Sequence, residues 1–325
     1  MEELRNASDF EKVEAGCVLT IGNFDGVHLG HQELVRTTRT LADRRNKPCV
    51  LMAFDRHPLA VLHPEKAPAR LTPESLKRDL LAAMGLDFRL VLSATPETLS
   101  LPPETFIRRF ITEPMRPSAI VEGEDFRFGA GRAGDIDTLR ATGRTHGFEV
   151  IVVPARRIEI PNGETMRVSS TMIRYMIASG NVGDAALALG RPYRLIGRTC
   201  TGRGVGTKLG YPTLNMEKPD QLVPAEGVYA GYVQLGGAEE QVADVDDRIR
   251  AVFSIGQART FGDEYPLLIE AHVLVDSDRD LAGSWMAMDF VEFLRRQHKF
   301  TSPQELSKQI ARDCTRAREL LEPGR

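Results

Sequence analysis

Gly22-Asn23-Phe24-Asp25-Gly26-Val27-His28-Leu29-Gly30-His31 follows the apolar run Cys17-Val18-Leu19-Thr20-Ile21 and precedes a helical segment, His31–Arg45. A strand, a glycine-spaced turn and a helix start make an anion-binding corner. The unpaired N–H groups of a first helical turn and the helix dipole both favour phosphate. His28 and His31 add imidazole donors there, so the corner is expected to hold a nucleoside triphosphate.

Outward from that corner, apolar runs alternate with amphipathic stretches. Cys49–Phe54, Arg89–Leu92, Ala119–Val121 and Glu149–Val153 read as further strands. Thr72 caps a predicted helix that has Pro73 in its first turn and runs to about Met84; Glu104–Ile111 and Asp135–His146 read as two more. This β–α alternation predicts a parallel sheet covered by helices on both faces, a Rossmann-like α/β domain. Ligands of such sheets sit beyond the carboxyl ends of the strands, where Gly22 and Gly123 lie. From Arg191 to Asp276 the pattern changes to short apolar runs split by glycine and proline: Gly227–Val233, Ala251–Ile255 and Ile269–Val275. These predict an antiparallel sheet or a small antiparallel β-barrel. Ser302-Pro303-Gln304-Glu305 is a capping box that starts a C-terminal helix to about Leu321, with Leu306, Ile310, Cys314 and Ala317 along one face. Gly, Asn and Pro gather between 180 and 191, which divides the chain into domains 1–185 and 186–325.

Composition narrows the function class. The 325 residues are 42% hydrophobic and 27% charged with a net charge of −3, so no basic field argues for nucleic acid. No apolar run nears the roughly 20 residues that span a bilayer, and Met1–Gly16 lacks the regions of a signal peptide. Cys17, Cys49, Cys200 and Cys314 lie far apart without a CxxC pair. That pattern reads as free thiols in a cytoplasmic protein rather than a zinc site. His63, His146 and His298 have no supporting context and read as surface residues.

The run Gly22–His31 resembles the HxGH signature of nucleotidylyltransferases. Three further pieces follow in order: Phe54-Asp55-Arg56-His57-Pro58, Glu122-Gly123-Glu124-Asp125-Phe126-Arg127-Phe128-Gly129, and Val168-Ser169-Ser170-Thr171-Met172-Ile173-Arg174. Together they resemble the adenylyltransferase module of the bacterial bifunctional riboflavin kinase/FAD synthetase family. The resemblance implies that Gly22, Asn23, Phe24, Asp25, Gly30, Ser169, Ser170, Thr171 and Arg174 hold the ATP phosphates. It places His57 and Asp125 near the flavin and nucleotide. Adenylyl transfer uses an FMN phosphate that is already ionised, so the nucleophile needs no base. His28 and His31 are then phosphate and transition-state donors.

In the second half, Gly202-Arg203-Gly204-Val205-Gly206-Thr207-Lys208-Leu209-Gly210-Tyr211-Pro212-Thr213-Leu214-Asn215 contains no GK[ST], so it is not a P-loop, and it lacks a Rossmann fingerprint. Followed by Pro-Thr-x-Asn, it resembles the riboflavin kinase loop. That resemblance assigns ATP contacts to Gly202, Gly204, Gly206, Lys208, Gly210 and Pro212, and magnesium to Thr213 and Asn215. Gly227-Val228-Tyr229-Ala230, Ser254-Ile255-Gly256, Thr260-Phe261 and Phe293-Leu294-Arg295 resemble further family segments, and Lys299-Phe300 leads into the C-terminal helix. Ile269-Glu270-Ala271-His272-Val273-Leu274 resembles the strand bearing the family's catalytic glutamate, which makes Glu270 the candidate base; a ribityl hydroxyl is a very weak acid for which a positioned base is useful. Leu214, Arg259 and Ala282 depart from the family's alanine, proline and aromatic residue.

The resulting expectation is a bifunctional enzyme that phosphorylates riboflavin to FMN and adenylylates FMN to FAD, using ATP and Mg²⁺. The alternative is an adenylyltransferase with a weakened or inactive kinase half. Its partners are the small molecules riboflavin, FMN and ATP, without nucleic acid or membrane, and a homo-oligomer is compatible with the sequence.

Overall fold

The computed structural model describes residues 1–202, 205–243, 248–257, 267–274 and 283–322. Gly204, Arg259, Thr260, Phe261 and Ala282 lie outside the described residues, as does the Lys208 side chain. The chain forms two compact units, Met1–Pro68 with Leu80–Arg157, and Ala69–Asp79 with Ile158–Arg325.

The first unit contains strands β1 (Glu2–Leu4), β2 (Val18–Ile21), β3 (Cys49–Phe54), β4 (Phe88–Leu92), β5 (Ala119–Gly123) and β6 (Glu149–Val153). They form one sheet in the order β1-β4-β3-β2-β5-β6, with every pairing parallel. Its helices are α1 (Leu29–Arg45), α2 (Glu74–Ala82, begun in the other unit), α3 (Pro103–Ile107, continued by a π-turn) and α4 (Ile136–His146). Alternation along the strands builds two cores. Val18, Leu51, Ala53 and Val121 pack with Val35 and Ala42 of α1. Leu19, Val50, Met52 and Ile120 pack with Ile107 of α3 and Leu139 of α4. The strand order reverses between β2 and β5, so their carboxyl ends flank the crevice where such sheets bind ligands.

In the second unit, beyond a hairpin of β7 (Arg157–Glu159) and β8 (Thr165–Arg167), come α5 (Ser170–Ala178) and α6 (Val182–Leu189). The remaining strands are β9 (Tyr193–Cys200), β10 (Leu214–Met216), β11 (Gly227–Gly236), β12 (Ile249–Gln257), β13 (Leu267–Val273) and β14 (Trp285–Arg295). They close an antiparallel barrel in the order β10-β13-β12-β11-β14-β9. Ile173, Ile177 and Leu189 of the two helices share one core with Tyr229, Phe253 and Phe290 of the barrel. Residues 158–189 therefore pack with the barrel, although the change in sequence pattern comes only near Gly190. Segment Ala69–Asp79 joins this unit through Gln221, whose buried amide donates to the Leu71 and Arg194 carbonyls and accepts from Ile196 N–H.

Helix α7 (Pro303–Leu320) lays Cys314 and Ala317 on Val228, Ala230 and Val252 of the outer barrel surface. Half of the capping box forms: Glu305 N–H donates to Ser302 Oγ at 3.2 Å, while the Glu305 carboxylate reaches one residue past the cap and accepts from Thr301 N–H and the Thr301 hydroxyl. Ser302→Ala is expected to lower stability by ~1 kcal/mol, read as a lower denaturant midpoint of the barrel unit. An unchanged midpoint would mean that solvent serves this helix end equally well.

Candidate active sites

Strand β2 ends at Ile21, and the chain turns through left-handed backbone at Phe24 (φ 50°), Gly26 (φ 90°) and Val27 (φ 42°) before α1 starts. A β-branched residue at positive φ is strained, and such strain is found where the surrounding structure fixes a functional loop. Phe24 and Val27 are buried and anchor the turn in the core. His28 is the N-cap of α1, and its Nδ1 accepts from His31 N–H at 3.2 Å. A backbone N–H can only donate, so Nδ1 is unprotonated and the ring proton of His28 sits on Nε2. The two imidazoles stack, with centroids 3.6 Å apart and planes 15° apart. The helix therefore starts at Leu29, two residues before the sequence pattern suggests, because His28 supplies the cap. Gly30 and His31 lie in its first turn, and Asp25 is half-buried in the bend before it.

Beside this corner lies a cavity of ≈410 Å³. Gly22, Asn23 and His57 line it together with Phe54, Leu59, Leu62, Phe106, Phe126 and Phe128, and Arg127 and Arg132 add cationic groups. Phe126 and Phe128 stack at 5.4 Å. His57 Nδ1 accepts from Leu59 N–H at 3.1 Å, which again places the neutral ring's proton on Nε2. Asp125 is exposed in the turn after β5, outside the cavity lining.

Glu122 is a residue that sequence reasoning missed. The backbone pairing of β2 with β5 covers Val18 with Ala119 and Leu19 with Ile120. Beyond it, the Glu122 side chain takes over and accepts from Ile21 N–H at 2.6 Å. The available signal was one acid at the end of an otherwise apolar strand. Burial pushes the Glu122 carboxyl well above the usual range, against the smaller opposing effect of the Ile21 N–H. A raised folded pKa contributes stability that is complete in acid, below the unfolded value, and is lost as pH rises towards the folded value. Glu122→Gln keeps the acceptor oxygen but cannot ionise. Its stability relative to the wild type is expected to rise as pH is raised above the ordinary glutamate range in denaturant titrations; a difference independent of pH would refute this.

The fourth motif lies in the second unit. Ser169 caps α5 by accepting from Met172 N–H at 3.2 Å, Ser170 and Thr171 form its first turn, and Arg174 Nε donates to the Ala69 carbonyl at 2.6 Å.

The second candidate site is on the outside of the barrel. Asn215 of β10 stands directly opposite Glu270 of β13, which stands opposite Ser254 of β12. Such partners share a face, with Cβ atoms about 4.5–5.5 Å apart. Their strand neighbours Met216, Ile269, Ala271, Phe253 and Ile255 are buried in the barrel, so Asn215, Glu270 and Ser254 form an outward row. The preceding loop holds one helical turn, Val205–Lys208, and Gly210 (φ 83°) ends it. Glycines at 202 and 206 are required by close approach. A Cβ on Gly202 would fall 2.1 Å from Asn215 Nδ2, and one on Gly206 would fall 2.3 Å from the Tyr211 carbonyl oxygen and 3.3 Å from Thr213 Cγ2. The loop thus lies against Thr213 and Asn215, the two oxygen-bearing side chains. Gln297 was not foreseen: its amide donates to Ser254 Oγ at 2.9 Å and closes the far end of the row.

Comparison with known proteins matches residues 10–172 to the FAD synthetase family and residues 189–321 to the riboflavin kinase family. The chain is 36% identical over 308 residues to a bifunctional riboflavin kinase/FMN adenylyltransferase of Escherichia coli K12, covering 95% of this chain and 94% of that one. It is 33% identical to the protein of the same description from Pseudomonas fluorescens, over 100% and 99% of the two chains. A solved structure from Streptococcus pneumoniae, described as a macrolide-efflux protein, matches with a TM-score of 0.82 at 27% identity, over 98% and 99% of the chains. Among the described residues of this chain, no helix is long and apolar enough to cross a membrane.

Proposed function

We infer the residue roles from one premise: this chain belongs to the bifunctional riboflavin kinase/FMN adenylyltransferase family. It phosphorylates riboflavin to FMN with ATP, and it adenylylates FMN with ATP to give FAD and diphosphate. Both modules being matched favours this over an adenylyltransferase with a failed kinase half. The boundary between modules is placed at 185/186, in the gap between the two matched stretches. A reducing, cytoplasmic setting belongs to the same reading and agrees with four free cysteines.

In adenylyl transfer, a phosphate oxygen of FMN attacks the α-phosphorus of ATP and diphosphate leaves. His28 donates from Nε2 to phosphate oxygens as charge builds on them, and His31, stacked on it, serves the same phosphates. Backbone N–H groups at Asn23, Phe24, Asp25 and Gly30 complete the anion corner, while Gly22, whose own N–H donates to the Met52 carbonyl, opens the turn. Ser169, Ser170, Thr171 and Arg174 are assigned to ATP phosphates by their match to the family motif. The apolar cavity suits the flavin ring system, with His57 at its polar side and Asp125 near the nucleotide. Arg132 and Arg127, the latter also paired with Asp135, are the cationic groups of the lining that would meet the FMN phosphate.

In the kinase reaction, the ribityl hydroxyl attacks the γ-phosphorus of ATP and ADP leaves. Glu270 takes the hydroxyl proton. The row that sets Asn215 opposite Glu270 carries this assignment, since it brings a nucleotide-binding group beside the base. The cradle formed by Gly202, Gly206 and the oxygens of Thr213 and Asn215 suits Mg²⁺, which takes one or two protein oxygens and keeps water and phosphate for the rest. When bound, magnesium would screen the phosphate charge. The test is product analysis by chromatography: protein with riboflavin and Mg-ATP yields FMN and then FAD, and protein with FMN and Mg-ATP yields FAD. Absence of either product would remove the corresponding assignment.

A further inference from the structure

Glu270 has a neighbour on the outer face of β13 to which the kinase reading gives no role. His272 stands two residues on, so it shares that face. Its Nδ1 lies 2.8 Å from the Pro212 carbonyl oxygen, and its ring meets the Tyr211 ring edge-on, with centroids 5.3 Å apart. A carbonyl oxygen only accepts, so His272 carries a proton on Nδ1 and donates it. This is the opposite tautomer to that of His28. Both contacts fall on the turn that delivers Thr213 and Asn215. The other end of that turn is closed by Tyr211 N–H donating to the Gly206 carbonyl at 2.8 Å.

We propose that His272 is a positioning residue of the kinase site: by holding the Pro212 carbonyl and the Tyr211 ring against β13, it sets Thr213 and Asn215 in place beside Glu270. The chemistry follows from geometry. Strand β10 is only three residues long, and its pairing with β13 starts at Leu214, opposite Ala271. Thr213 lies just outside that ladder, so backbone pairing with β13 does not fix it. The His272–Pro212 bond extends the attachment of the loop to β13 by two residues beyond the ladder. It ties the nucleotide-binding turn to the strand that carries the base. The contacts of His272 with Pro212 and Tyr211 fall on the nucleotide-binding turn, so its effect is on how Mg-ATP is held.

The inference rests on the kinase assignment above, and the test separates the two. Steady-state riboflavin phosphorylation is measured for the wild type and for His272→Ala, His272→Asn and His272→Gln, with FMN adenylylation by the same preparations alongside. Asparagine places its amide nitrogen near the Nδ1 position, whereas glutamine places it near Nε2. The KM for Mg-ATP is expected to rise roughly five- to tenfold in His272→Ala and His272→Gln, the size of one lost hydrogen bond. His272→Asn should stay within about twofold of the wild type, with the KM for riboflavin and the rate of FMN adenylylation unchanged in all three. Should His272→Ala fail to fold, the contrast between asparagine and glutamine still decides the matter. Asparagine as impaired as glutamine, or alanine as good as wild type, would overturn the positioning role. Wild-type protein unable to phosphorylate riboflavin would overturn the kinase assignment together with it.

Discussion

His28→Asn is expected to lower FMN adenylylation by roughly 10²–10³-fold in kcat while riboflavin phosphorylation continues at the wild-type rate. Asparagine is chosen because His28 has two jobs. Its Nδ1 caps α1 by accepting from His31 N–H, and its Nε2–H is the donor assigned to the phosphates. Asparagine is among the best N-cap residues, so it preserves the first job and removes the second. Alanine would remove both and confuse a lost donor with a frayed helix. The measurement is FAD produced from FMN and Mg-ATP, with FMN produced from riboflavin as the control in the same protein. Adenylylation within about tenfold of the wild type would show that His28 is a cap and that the transition state is stabilised elsewhere in the corner, by His31 or by backbone N–H groups.

Glu270→Gln should give the converse result. Kinase kcat is expected to fall roughly 10²–10⁴-fold, the usual contribution of a positioned general base. FAD formation from supplied FMN should be unaffected. Glutamine conserves volume and keeps an acceptor opposite Asn215 and Ser254, so the barrel row is left intact. The KM values for riboflavin and Mg-ATP should change little, because the missing interaction is one made as the hydroxyl proton departs. Kinase turnover near the wild-type rate would assign the proton to water or to phosphate, leaving Glu270 as a binding group. A variant that lost both activities with its fold intact would contradict two independent sites.

Local order was legible in the sequence. Strands such as Val18–Ile21 and Cys49–Phe54 announce themselves by contiguous apolar residues. The starts of α4 and α7 are written in Asp135 and in Ser302 with Pro303, whose side chains act within one helical turn. The histidine pair, the Gly-rich loop and Glu270 were visible because each motif lies within a short stretch. Strands β9 and β14 were not recognised. In β9, Arg194 and Arg198 interrupt the apolar pattern, and the charge of Arg194 is buried against Asp289 of β14 at 2.7 Å. A buried bidentate ion pair between distant strands looks like surface polarity in the sequence of either one.

Periodicity and short-range chemistry, which depend on neighbours a few residues apart, thus determined the α/β and β character of the two halves and their order along the chain, and the resemblance of short motifs to a known family supplied the motif residues. Tertiary structure alone decided which groups meet. It placed β2 between β3 and β5, making the end of β2 a crevice rather than an edge. It buried Glu122 against Ile21, 101 residues away in sequence. It set Asn215 opposite Glu270, gave Ala69–Asp79 to the barrel unit, and bound His272 to Pro212 across 60 residues. The physical reason is that a side chain's hydrogen-bonding partner, its tautomer and its degree of burial belong to the pairing of distant segments. That pairing is fixed by the packing of the whole core, not by the residues on either side of the chain position.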